Sequence, residues 1–424
     1  MKKPALNVFA SQTPIGALTR SDVEEDTILF GYRGGTPDAN AVSLTMPVRV
    51  DQYDAMSGLL PIFEMNLPEG ALKERLRMQF AKTIPEFDDL DLLSIVGTSQ
   101  IGRLRYSPRP QIEADVPEQN LEEILTYKGS ADLFAHLLER FATYSGISGM
   151  QPKVLVREQK APDKLTHRGA THIVKTFDAA EFPELAANEM ICTRGAAAAG
   201  IRTAHVTLSK NRRFLVVDRF DLLPDGTYLG IEDFCVLEAR RAHGRYDGSY
   251  EGVARRLTDF VSPAALGHAR EQYALMVVYA CTIGNGDAHL KNFSILYRDA
   301  QSTVEFAPGY DIVSTRPYIA RDSLALSMGN GKEFPDRSRL TRFVRLVTGM
   351  TERRAGQLLE QVRVGAEAAI AEAGRYARQY KDASNFAERL TYVIRDGVAR
   401  LTAGQAPLAT AVQRRPSRSR RTTR

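Results

Sequence analysis

Apolar and polar positions along this chain change their period about halfway, and that change sets the expected architecture. From residue 5 to about 106, short β-rich runs at 27–31 and 41–46 alternate with glycine turns, interrupted by a helical pattern at 71–82. A Pro-, Glu- and Asp-rich stretch at 107–118 reads as a linker or surface connection, and a helix is predicted near 130–144. Strand signals resume at 154–156 and 171–176. The segments 204–209 and 213–220 then alternate as paired strands around the turn-prone Lys210-Asn211-Arg212. Between these strands, Pro183, an alanine-rich run at 184–199 and Gly200 predict a helix with both ends marked. Beyond residue 249 helices dominate, one at 263–283 and three amphipathic ones between 338 and 402. The chain is therefore expected to be α+β. Its parts are a β-rich domain at 1–110, a connecting segment and helix at 111–143, a strand-rich lobe at 144–235, a helical lobe at 236–402 and a disordered tail at 403–424.

Length and composition fit this division. The 424 residues suffice for two or three domains with a large core, and 43% hydrophobic with 25% charged residues is ordinary for a soluble protein. Cysteines 192, 235 and 281 are odd in number and far apart, which predicts a reducing compartment and neither a disulfide framework nor a zinc motif. The apolar stretch at 273–283 is too short to span a bilayer and the amino terminus lacks a signal-peptide core, so a cytoplasmic protein without membrane contact is expected. Net charge is +5, yet residues 411–424 hold six arginines and no acid, leaving −1 for the preceding 410 residues. The basicity belongs to a Ser/Thr/Arg/Pro tail, a solvated segment or an aid to nonspecific DNA contact.

The chemistry concentrates in Ile283-Gly-Asn-Gly-Asp-Ala-His-Leu-Lys-Asn292 and in Asp311 nineteen positions later. An Asp and an Asn separated by four residues, with a second Asp further on, are what phosphoryl transfer from Mg-ATP requires. One carboxylate orients the accepting hydroxyl, while an amide and the other carboxylate hold the metal between phosphates. Upstream, Ser145-Gly-Ile-Ser-Gly-Met-Gln-Pro-Lys153 is a small-residue loop opening a strand, where backbone N–H groups can approach an anion. Lys175 ends the 171–176 strand, and Glu189 on the following helix is either its ion-pair partner or a solvated charge. Residues Ile231-Glu-Asp-Phe-Cys235 fall where an adenine-binding hinge would lie, or serve as a helix cap. A serine hydrolase is excluded, since no serine occupies a Gly-x-Ser-x-Gly elbow.

These motifs together resemble the HipA family of serine/threonine kinases, the toxins of bacterial toxin–antitoxin modules. The likeness is carried by Ser148-Gly-Met-Gln-Pro-Lys153, Thr171-His-Ile-Val-Lys175, Asn188-Glu189, Val217-Asp-Arg-Phe-Asp221, Glu232-Asp-Phe-Cys235, Gly284 through Ser294 and Tyr310 through Pro317. Phe63 through Gly70, Ile95-Val-Gly97 and Ile101-Gly102 also match, so the likeness spans about residues 5 to 320. It implies a two-lobed protein-kinase/lipid-kinase-like core behind a small β-rich accessory domain. It also implies a small DNA-binding antitoxin as partner, and a protein substrate such as an aminoacyl-tRNA synthetase. Carried over by residue, Asp287 is the catalytic carboxylate, Asn292 and Asp311 hold Mg²⁺, and Lys175 contacts the ATP phosphates. Ser148, Gly149, Met150, Gln151 and Lys153 cover those phosphates, and Glu232, Asp233 and Phe234 line the adenine side. Lys291 stabilises transition-state charge, and His289 is a hydrogen-bonded brace.

Two departures from the family pattern matter. Where one branch carries two regulatory serines in the glycine loop, the first position here is Gly146 and Ser148 remains, with Ser145 out of register. Autophosphorylation is therefore expected at Ser148 or not at all, a phosphate there adding charge enough to move such a loop. Asp311 is followed by Ile-Val and not Phe-Gly, so the activation switch of eukaryotic kinases is not expected. Nothing in these residues names the acceptor. A small-molecule or lipid kinase of the same fold, or a noncatalytic antitoxin-binding co-regulator, stays open.

Overall fold

The computed structural model of the chain describes residues 5–23, 27–56, 58–80, 82–84, 86–112, 115–129, 132–159 and 168–403. The arginine-rich tail and the first residues of the 130–144 helical pattern lie outside these. Strands β1 (Leu6–Ala10), β2 (Thr13–Arg20), β3 (Ile28–Tyr32), β4 (Tyr53–Ala55) and β5 (Leu104–Ser107) form an antiparallel sheet in the order β4-β3-β2-β1-β5. Helices α1 (Pro61–Glu64), α2 (Gly70–Phe80) and α3 (Asp89–Val96) accompany it, and Val8, Phe30, Phe63 and Leu93 belong to one buried core. Asp88 and Asp91 start α3 with reciprocal side-chain-to-backbone bonds that satisfy two otherwise orphaned donors. The run at 41–46, expected as a strand, makes a single bridge between Ser43 and Met46. Its backbone is drawn instead to a buried carboxylate described below.

The next sheet has the order β6-β7-β8-β10-β9, from β6 (Glu118–Gln119), β7 (Lys153–Glu158), β8 (His172–Thr176), β9 (Val206–Leu208) and β10 (Phe214–Asp218). Helices α4 (Leu121–Thr126) and α5 (Leu133–Phe141) precede β7, and α6 (Leu185–Ala198) follows β8. Side chains alternate along β10: Phe214 and Val216 join the core beneath α5, while Leu215 and Val217 join that of α6. The stretch at 107–118 is not wholly a surface connection. Val116 within it is fully buried and Glu118–Gln119 extend the sheet beside β7, because one apolar residue in an acidic run still gains by burial.

The helical half comprises β11 (Gly230–Asp233), α7 (Phe234–Leu237), α8 (Tyr250–Phe260), α9 (Pro263–Ile283), β12 (Ser294–Tyr297), β13 (Glu305–Phe306), α10 (Arg337–Thr348), α11 (Glu352–Gln379) and α12 (Ser384–Thr402). Proline opens α9 at its first turn, where a missing N–H costs nothing, and Gly284 ends it in the left-handed conformation at φ 70°. Strand β11 pairs with β12 and not with the preceding sheet, so the chain crosses into this half before residue 235. Ile231, Val236, Leu296 and Ala307 of this half join the core of the first sheet, so no solvent layer separates the two. Among the described residues no helix is long and apolar enough to cross a membrane, and the three cysteines are buried and free. The result is an α+β molecule, β-rich in its first part and helical in its last.

Candidate active site

Asp287 follows α9 in a loop whose shape is held by its own polar residues. Asn285 Oδ1 accepts the Asp287 N–H at 2.9 Å, and Thr315 Oγ1 accepts the Gly286 N–H at 2.7 Å. The His289 N–H donates to Asn292 Oδ1 at 3.0 Å, closing a short 3-10 turn over Leu290–Asn292. Lys291 Nζ donates to the Met65 carbonyl at 3.0 Å and lies 3.5 Å from Asp233 Oδ2. Asp311 has φ 52°, a conformation that Asp tolerates better than most residues and that collects at functional sites. Asn188 fixes the segment beyond it, accepting the Ser314 N–H at 2.9 Å and donating to its carbonyl at 2.8 Å.

Across the cleft, Lys175 on β8 is buried and bonded to two carboxylates: Glu189 Oε1 of α6 at 2.7 Å, and Asp311. Glu189 is thus the ion-pair partner and not a solvated charge. Burial alone would raise the Asp311 carboxyl, but the ammonium groups of Lys175 and Lys153 outweigh it and hold the group well below the usual carboxylate range. Burial pushes Lys175 down, and Asp311 and Glu189 together lift it above the usual lysine value. Glu189 is raised by burial against the pull of Lys175. Lys153, opposite Lys175 in the β7–β8 register, is equally buried; there burial prevails and pulls its ammonium below the usual value.

The small-residue loop closes the third side. Lys153 Nζ donates to the Ser148 carbonyl at 3.2 Å, and the Ser148 hydroxyl donates to the Glu69 carboxylate of the first domain. Glu69 also accepts Arg245 Nη2 at 2.7 Å. Ser145 is buried, its hydroxyl spent on the Phe141 carbonyl at 2.7 Å and the Leu155 N–H at 2.9 Å. A side chain at Gly146 would put its Cβ 2.8 Å from the Ser99 carbonyl oxygen and 1.9 Å from Gln100 Nε2, so no serine fits there. This accounts for the glycine in place of a first serine.

These groups line one cavity of about 210 Å³. Asp287, Lys291, Ser148, Gly149, Met150, Gln151, Lys153, Lys175, Asp233, His289, Asn292 and Asp311 all face it, with Glu189 beside them. Glu232 and Phe234 do not. On β11 the alternation sends Ile231 and Asp233 into the cavity, and sends Glu232 the other way to accept Ser43 Oγ at 2.5 Å, the Leu44 N–H at 2.9 Å and Tyr297 OH at 2.6 Å. Phe234 is wholly buried in the helical core. Asp233 also caps α7 by accepting the Val236 N–H at 3.0 Å. His289 is buried at the cavity wall, its Nδ1 without a hydrogen-bond partner among the described residues, and its ring meets that of Tyr246 edge-on at 5.1 Å.

Several lining residues carried no assigned role in the sequence. Met65, Asn66 and Ile101 come from the first domain, Tyr310 and Phe220 stack at 5.8 Å, and Tyr246 donates its hydroxyl to Asp287 Oδ1 at 2.8 Å. The matching string Phe63 through Gly70 was the available signal for the first of these; Arg245 and Tyr246 sit in no such string. For a divalent cation, the Asp311 carboxylate and the Asn292 carboxamide supply hard oxygen donors on one cavity, the set that suits Mg²⁺ with water and phosphate completing its shell.

A β-rich lobe, a helical lobe and a buried Lys–Glu–Asp cluster in the cleft between them define a kinase-like architecture. The model of the HipA-like C-terminal domain matches residues 145–370, and that of the HipA N-terminal domain matches residues 6–107. The chain belongs to the HipA family. A curated relative, "Putative kinase Y4mE" of Sinorhizobium fredii (strain NBRC 101917 / NGR234), is 29% identical over 335 residues, 74% of this chain and 78% of its own. "Putative kinase Y4dM" of the same strain is 36% identical over 121 residues, 28% of each chain. Among solved structures, a chain of the Shewanella oneidensis MR-1 toxin–antitoxin complex of HipA, HipB and operator DNA superposes with a TM-score of 0.67 at 19% identity, covering 93% of this chain and 97% of that one. At that identity the likeness is one of fold.

Proposed function

We propose that this chain is a Mg-ATP-dependent serine/threonine protein kinase acting as the toxin of a toxin–antitoxin module. The observation that carries the reading is the convergence of Lys175, Glu189 and Asp311 with Asp287 and Asn292 on one cavity. Lys175 and Lys153 contact the phosphates, and the loop from Ser148 to Lys153 covers them. Asp287 orients the acceptor hydroxyl and takes its proton as the new phosphorus–oxygen bond forms and the bond to ADP breaks. Lys291 offsets charge that develops in transfer. Asn292 and Asp311 hold the Mg²⁺, which when bound neutralises phosphate charge. The base lies toward Ile231 and Asp233.

Residues 1–110 act as an accessory domain that completes the cleft, and the reaction takes place in the cytoplasm. A small DNA-binding antitoxin is the proposed partner, supported by the HipB complex of the Shewanella protein. The proposed target is a translation component such as an aminoacyl-tRNA synthetase. Self-inactivation, in this reading, runs through Ser148, whose hydroxyl borders the cavity while that of Ser145 is sealed within the fold. Asp287→Gln should abolish phosphoryl transfer from labelled ATP and growth arrest while leaving the unfolding midpoint unchanged. Full activity in that variant refutes the assignment. Comparing phosphopeptides from cells expressing wild type and variant then identifies the target.

A further inference from the structure

Resting on that kinase reading, one group at the cavity has no role in it. The Tyr246 hydroxyl donates to Asp287 Oδ1 at 2.8 Å, although the tyrosine lies 41 residues upstream and half exposed. Its placement is not that of a loosely hanging side chain. The ring meets His289 edge-on at 5.1 Å between centroids, and Lys332 Nζ donates to its carbonyl at 3.4 Å. The neighbouring Arg245 bonds the Ala242 carbonyl at 2.8 Å and Glu69 Oε2 at 2.7 Å. Burial, with the Asp287 charge adding to it, raises the phenol above its usual range, so it remains a donor at neutral pH.

A carboxylate torsion is broad and two-fold, so an unanchored aspartate samples orientations that present no oxygen correctly to an acceptor. Two carboxylate oxygens offer about four lone-pair sites, so one donor on Oδ1 does not exclude a second on Oδ2. We propose that Tyr246 is a positioning residue of the acceptor subsite. Its phenol fixes the rotamer of Asp287 and leaves Oδ2 to receive the serine or threonine hydroxyl. The ring forms the flank of that subsite, on the side shared with Arg245.

The test compares wild type, Tyr246→Phe and Tyr246→Ala, with Asp287→Gln as the zero, using radiolabelled ATP and the soluble proteins of a bacterial lysate as acceptor. Tyr246→Phe keeps the ring against His289 and removes the donor alone. It should lower kcat about tenfold or more, because small losses of alignment cost that much, with the KM for ATP unchanged within about twofold. Tyr246→Ala should be no faster than Tyr246→Phe. A Phe variant at the wild-type rate, or faster, overturns the inference, since the ring would then suffice or the hydroxyl would obstruct. A rise in the KM for ATP matching the fall in kcat also overturns it, as that marks a distorted cleft. Phosphate found on Tyr246 itself would make it an acceptor and dispose of the positioning role. A wild type that transfers no phosphoryl group sinks the kinase reading and this one together, whereas an active wild type with an active Phe variant sinks this one alone.

Discussion

On one side of the cleft Lys175 is sealed between Glu189 and Asp311; on the other, Ser148 reaches across to Glu69 and through it to Arg245. The first cluster joins a strand, a helix and the segment beyond the 284–294 loop, all within the two lobes, with Lys175 and Glu189 buried and Asp311 35% exposed at the cavity. The second joins the glycine loop to a different domain and keeps solvent at its edge. The Lys175–Glu189 pair cannot lose one member cheaply, because the charge left behind has no water to turn to. The part-buried relay, which ends on the neutral Ser148 hydroxyl, can be exchanged contact by contact. The contrast separates the part of the site that defines the geometry from the part that can respond to a change such as a phosphate on Ser148.

Removing the centre of the sealed cluster should have the largest effect. Lys175→Met leaves the buried Glu189 carboxylate without its hydrogen-bonded cation and should cost about 3–5 kcal/mol of stability. It should also lower phosphoryl transfer by roughly 10²–10³. Urea denaturation read beside the activity checks both, and an unchanged midpoint would break the comparison. Glu69→Gln, in the relay, should cost less, about 1–3 kcal/mol.

Burial works against the Glu69 carboxylate, yet the Ser148 hydroxyl and the Lys291 and Arg245 charges hold it below its usual value. Its contribution is therefore complete above the unfolded glutamate value of about 4.3 and is lost as pH falls through the lower folded value. The stability difference between wild type and Glu69→Gln should be level above about pH 5 and shrink in more acidic solution. A difference that widens on acidification would reverse the assignment.

Lys153 sharpens the comparison from the other direction, since burial disfavours its charge. Lys153→Met should leave stability equal or about 1 kcal/mol higher at neutral pH, while ATP binding weakens. Because the folded lysine is depressed, its penalty is present at neutral pH and fades as pH rises toward the unfolded value of about 10.4. Melting temperatures of the two proteins should converge there, and a destabilised Met variant at neutral pH would count against burial as the controlling cause.

That Asp287, Lys291, Asn292 and Asp311 would meet at one cavity was legible because they are local in sequence. Asp287, Lys291, Asn292 and Asp311 fall within 25 residues, and their spacing survives whatever the rest of the fold does. The Lys175–Glu189 pair was nearly as legible, a strand end and a helix turn set by short-range periodicity. Of the 232–234 stretch, Asp233 alone faces the cavity. Treating Glu232, Asp233 and Phe234 as one lining ignored the period of two that sends alternate strand residues to opposite faces. The 41–46 run looked like a strand, and a long-range carboxylate overrode its propensity. Arg245 and Tyr246 sit in no matching string, and Glu69, though inside Phe63 through Gly70, gave no sign of its partner, since the Glu69–Arg245 contact spans 176 positions. Pairings across such separations are decided by how domains pack, which no window of sequence contains.

Glu232 also bears on how this chain can vary over time. Its carboxylate accepts Ser43 and Leu44 from the first domain, and Asp221 Oδ2 accepts the Gly102 N–H at 2.7 Å from another of that domain's loops. Burial raises the Glu232 carboxyl, so the group is tolerated there because those donors reach it. Descendants of this sequence are then not free to exchange their first hundred residues for another module; Ser43 and Glu232, lying on separate domains, are bound to be inherited or replaced as a couple.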